Sequence, residues 1–63
     1  MTPEAFCTWL AAMKAAGLAK TDGDCWRLLG ISDDTSTNYK TRGATRQTAL
    51  ACRALLHRLE PWG

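Results

Sequence analysis

Apolar residues recur along this chain with the period of a helix. Phe6, Trp9, Leu10, Met13 and Ala16 stand three or four apart and so line one side of a first helix. Thr2, Pro3 and Glu4 open it, because proline loses nothing at the first helical position and a carboxylate complements the N-terminal dipole. Gly17 ends it, and Leu18 just beyond can fold back as an apolar seal. Thr21 caps a second helix with Asp22 and Asp24 in its first turn and Cys25, Trp26, Leu28 and Leu29 on its buried side. Gly23 weakens that helix by up to about 1 kcal/mol. A third helix runs from Ser32 or Asp33 to about Arg42 and stops at Gly43; its one large apolar residue is Tyr39, so most of it is expected to be exposed. Thr45 caps a fourth, in which Ala49, Leu50, Cys52, Leu55, Leu56 and Leu59 form a broad apolar side, ended by Pro61. No strand pattern competes. The expectation is an all-α fold of four helices, or five, in a single domain over residues 1–63, since the connectors at 17–20 and 43–45 are too short for a boundary.

A chain of about 60 residues buries only about 60% of its unfolded surface, so the core must be small and a partner or second copy can add stability. The three cysteines, Cys7, Cys25 and Cys52, cannot all pair within one chain, and no secretory signal precedes them. A reducing cytoplasm is expected, with all three as small core residues. The longest apolar run falls far short of the roughly 20 residues that span a bilayer.

The formal charge of +2 hides an asymmetry. Up to residue 34, Glu4, Asp22, Asp24, Asp33 and Asp34 outnumber Lys14, Lys20 and Arg27; from Thr35 to Leu59 there are Lys40, Arg42, Arg46, Arg53 and Arg58 and no acid. This suits a polyanion partner, or simply a solvated basic face.

Leu28-Leu29-Gly30-Ile31-Ser32 reads as one helix closing and another starting at once. Glycine takes the positive φ that closes a helix, Ile31 plugs the turn and Ser32 is a good N-cap. That is the outline of a helix-turn-helix, a known DNA-docking unit. On a helical wheel Ser36 and Tyr39 share one side of the third helix, while Asp33, Asp34, Thr37, Asn38 and Thr41 share the other. The second group is the candidate base-reading face: asparagine pairs bidentately with adenine, carboxylates accept from cytosine N4, and a threonine methyl can touch thymine. Thr21, Lys40, Arg42, Thr45 and Arg46 are the candidate phosphate contacts, helped by free N–H groups where the fourth helix starts. Asp33 and Asp34 have a second reading, as a charged helix start that phosphates would repel.

Through Cys25-Trp26-Arg27-Leu28-Leu29-Gly30-Ile31-Ser32, then Thr35, Tyr39 and Arg42-Gly43, the chain resembles the Cro and lambda-repressor class of helix-turn-helix regulators over residues 18 to 46. That family usually shows Ala-x-x-Leu-Gly-Val-Ser in its second helix. Leu29 to Ser32 follow it, and Tyr39 stands at the usual aromatic position; Trp26 replaces the small alanine, which would force the helices apart, and Ser36 replaces a packing Val or Ile, which loosens the third helix. The resemblance implies a lambda-repressor-like fold and a small transcriptional repressor or autoregulator, of a kind often encoded by phages or mobile elements. It also implies a homodimer on an inverted repeat, associated with the nucleoid. Leu55, Arg58, Leu59 and Trp62 are the expected dimer interface, Trp62 crossing to a second copy or packing back on the first helix.

No Cys-x-x-Cys occurs, and Cys52 and His57 fall on different sides of a helix, so no metal, cofactor or small-molecule ligand is expected. One histidine, scattered carboxylates and no glycine-rich phosphate loop give no catalytic constellation. Two other readings stay open: a protein-binding module that grips an acidic partner through the basic half, and a DNA-binding fragment of a recombinase.

Overall fold

Thr2 Oγ1 accepts from the Ala5 amide at 3.1 Å, and from that cap a first helix, α1, runs over Pro3–Ala15. A computed structural model describes residues 1–62; α2 covers Asp22–Leu29, α3 Asp33–Arg42 and α4 Arg46–Leu56, with no strand among the described residues. Each later helix also starts on an expected cap. Thr21 accepts from Asp24 N and Asp24 answers in a capping box, Ser32 accepts from Thr35 N, and Thr45 accepts from Thr48 N.

The helix ends divide into expected and unexpected ones. Gly17 (φ 73°) and Gly30 (φ 74°) are left-handed, and the next residues, Leu18 and Ile31, bond back to Met13 O and Trp26 O, each at 3.0 Å. Both then pack against the core, as seal and plug. At the end of α4 the same loop forms without glycine: Arg58 takes φ 58°, and Leu59 N donates to Ala54 O at 2.8 Å. Pro61 therefore does not end α4, which has already closed at Leu56.

The core is centred on α1. Phe6, Trp9, Leu10 and Met13 are buried there, joined by Ala19, Cys25 and Cys52. Trp9 Nε1 donates to Cys52 O at 2.9 Å, satisfying its N–H inside the protein and tying α1 to α4. Phe6 lies 5.4 Å from Tyr39, edge to face, and Tyr39 in turn reaches Thr48 Oγ1 at 3.2 Å, so one aromatic pair connects α1, α3 and α4.

Several apolar residues are not where the spacing alone predicts. Cys7 is exposed, as is Ala16, because the buried stripe of α1 is narrower than the run of apolar residues. Leu28, Leu50 and Leu59 are 51%, 61% and 63% exposed. So few helices cannot cover every leucine of α2 and α4. Trp26 is half-buried and outside the core, with Lys40 Nζ 5.4 Å from its ring centroid. Trp62 is fully exposed and does not pack back on α1.

Candidate nucleic-acid interface

The turn Gly30-Ile31-Ser32 hands the chain from α2 to α3, and α3 then shows two faces. Ser36 is buried and Tyr39 half-buried against the core, while Asp33, Asp34, Thr37, Asn38, Thr41 and Arg42 are all exposed. The expected reading face is thus brought together on one side of one helix. Thr37 Oγ1 donates to Asp33 O at 3.0 Å, and Thr41 Oγ1 reaches Thr37 O at 3.2 Å and Asn38 O at 3.1 Å. Those hydroxyl protons are committed to the backbone, leaving the two side chains able only to accept or to offer a methyl. The Asn38 amide has no partner among the described residues, so both its donors and its acceptor are free.

Charge runs along α3 from acid to base. Asp33 and Asp34 occupy the first turn and Lys40 and Arg42 the last, which suits the helix dipole at both ends. No cation of the described residues pairs with either carboxylate.

The expected phosphate contacts separate. Arg42 and Arg46 are exposed and unpaired among the described residues, near the start of α4, whose first N–H groups point out of the helix end. Thr45 lies there too, but its hydroxyl is engaged as the cap and with Thr48 Oγ1 at 3.1 Å. Lys40 and Thr21 lie instead beside acidic side chains. Asp22 accepts from Lys40 Nζ at 3.2 Å and from Lys14 Nζ at 2.7 Å, so Lys40 is held between that carboxylate and the Trp26 ring. Thr21 caps a helix whose first turn carries Asp22 and Asp24, and a phosphate would meet negative charge there. The Lys14 hydrogen bond holds the Asp22 carboxyl below the usual range against the opposing effect of burial, and Lys40 adds to it. No sequence signal links residues 14, 22 and 40, which lie on three helices.

The expected dimer residues lie around the end of α4. Leu55 packs partly into the core, Arg58 and Leu59 sit on the closing loop, and Trp62 stands free. Leu55 and Leu59 also line a shallow apolar recess of about 220 Å³ with Leu28, whose exposure was not foreseen.

Burial pushes the Cys25 thiol up and the Cys52 thiol up to about 11, so both stay protonated and unreactive near neutral pH. Among the described residues no three His, Cys, Asp or Glu side chains come together to hold a metal, and no helix is long and apolar enough to cross a membrane. Compared with known proteins, the chain matches no family model, no curated protein and no solved structure.

Proposed function

We propose that the domain binds duplex DNA through the outward face of α3 and acts, as a homodimer associated with the nucleoid, as a small transcriptional repressor or autoregulator. The observation that carries this reading is the exposed row of short polar side chains on a helix that follows a three-residue turn, with the free Asn38 amide at its centre. Asn38 reads adenine in the major groove, Thr37 and Thr41 offer methyls or acceptors, and Arg42, Arg46 and the start of α4 hold phosphates. Leu59, which shares a recess with Leu28, and the exposed Trp62 supply the apolar surface for the second copy. Binding-site selection from random duplexes with the purified protein tests the reading. Enrichment of an inverted repeat with half-site centres about 10–10.5 bp apart is expected, and Asn38→Ala should cost about 1–3 kcal/mol and relax one position in each half-site. A selection that enriches nothing sinks the proposal.

A second reading has its own support: Asp33 and Asp34 are exposed and unpaired among the described residues at the end of α3 that would approach DNA, and Asp22 occupies Lys40. That pattern suits a helix that meets basic side chains of a partner protein, in contrast to the acidic partner expected for the basic half. In this case Asp33→Asn together with Asp34→Asn weakens a protein complex; under the DNA reading the same pair tightens DNA binding by removing repulsion.

A further inference from the structure

One side of α4 is not explained by the packing or by α3. Arg46, Leu50, Arg53 and His57 follow one another at steps of four, three and four residues, share a face, and are all exposed. Leu50 stands 61% exposed, between Arg46 and Arg53 along that face of the helix. Beside this stripe lies an open groove of about 460 Å³, with Trp9, Ala49 and Cys52 among its lining. No residue lining it carries a negative charge, and neither arginine has a carboxylate within ion-pair distance among the described residues.

The occupant must therefore supply both an apolar ridge and negative charge. A nucleic-acid backbone would use the arginines and leave Leu50 in water. A second copy of the same face would set arginine against arginine. An amphipathic helix with an apolar row flanked by carboxylates satisfies both demands, as in helix-in-groove recognition. We propose that this face of α4 docks an acidic amphipathic helix of a partner protein, its apolar row against Leu50 and the groove and its carboxylates on Arg46 and Arg53. The proposal shares Arg46 with the phosphate contacts proposed above, whereas Leu50 and Arg53 belong to this face alone.

The probe is a synthetic peptide of about 18 residues, long enough to hold a helix, with leucines at three- and four-residue steps flanked by glutamates. It is titrated into isotope-labelled protein and followed by amide NMR shifts. Saturable shifts confined to Ala49, Leu50, Arg53 and their neighbours are expected. Leu50→Glu and Arg53→Glu should each weaken binding about tenfold, and the same peptide with lysine for glutamate should not bind. Both positions are exposed, so circular dichroism should show the fold unchanged in each variant; Leu50→Ser supplies a milder second variant that should also weaken binding. The proposal is overturned if no saturable shift occurs up to about 1 mM peptide, if the shifts centre on α3 around Arg42, or if the substitutions leave affinity unchanged.

Discussion

Helices α1 and α4 are of similar length, 13 and 11 residues, and both read as amphipathic, yet α1 buries Phe6, Trp9, Leu10 and Met13 whereas α4 buries only Cys52. The difference is one of position. α1 packs closely against each of the other helices, so its apolar side is covered from several directions, while α4 packs closely on α1 and α2, meets α3 through the Tyr39–Thr48 hydrogen bond, and leaves Leu50 in water. An apolar stripe on a helix states what must be covered, and only the tertiary arrangement decides whether this chain covers it. Where it does not, the stripe is available to something else.

Truncation is the strongest way to break the contrast. Phe6→Ala removes a fully buried ring that touches Trp9 and Tyr39, and should cost about 3–5 kcal/mol, enough to unfold much of a domain this small. Leu50→Ala should stay within about 0.5 kcal/mol of the parent. Urea denaturation followed by circular dichroism compares them. Equal losses would mean that α4 is as much a core helix as α1.

Next in size is a joint between the two regions. Gly43 closes α3 at φ 90°, and a Cβ there would run into Met1 O, because Met1 and Ala44 exchange backbone hydrogen bonds of 3.1 and 2.9 Å across the start of α1 and the α3–α4 link. Gly43→Ala should therefore cost about 1–3 kcal/mol. Gly23, inside α2, would put a Cβ only in ordinary contact with Thr21 and Trp26, and Gly23→Ala should add about 0.5–1 kcal/mol. The two substitutions should move the melting temperature in opposite directions, and a shift of the same sign in both would remove the joint from the account.

What the sequence made legible was local. Thr2, Thr21, Ser32 and Thr45 bond to amides three residues on, and Gly17 and Gly30 close the helix they follow, so neighbours alone decide those sites. The outward face of α3 was legible for the same reason, since its polar residues share one side whatever it packs on. Long-range partners were not. The bond from Trp9 to Cys52, the Met1–Ala44 pairing and the capture of Lys40 by Asp22 join residues that no spacing rule links. Arg58 in the place of a left-handed glycine carried no signal at all. The exposure of Leu28 and Leu50 follows from how few helices there are to cover them.

The contact of α1 with α3 can be sharpened at Ser36. Its hydroxyl is buried with no hydrogen-bond partner among the described residues, a cost that the buried side chains of α1 do not carry. Ser36→Ala removes the orphaned group at almost no loss of volume and should raise stability by about 1 kcal/mol. A loss of stability in the same denaturation assay would show that the hydroxyl is satisfied in solution.

The smallest effect concerns charge, and it separates the helices again. Asp22 joins Lys14 of α1 to Lys40 of α3, whereas Arg46 and Arg53 of α4 have no such carboxylate among the described residues. Because the Lys14 bond lowers the Asp22 carboxyl from its ordinary 3.8, the folded state holds its proton less tightly than the unfolded state does. Stability from this group is thus fully present above the unfolded value and is lost as pH falls through the folded one. Asp22→Asn should cost about 0.5–1 kcal/mol near neutral pH, the range for a pair partly open to solvent, and salt should shrink the difference. As pH falls through the lowered folded value the variant and the parent should converge, because the parent's carboxyl then takes up its proton. Arg53→Ala should show no such pH-dependent gap, since no carboxylate answers it. If the gap between Asp22→Asn and the parent stayed constant from neutral to acid pH, the loss would come from packing at the start of α2, and the charge contrast between α1 and α4 would fall.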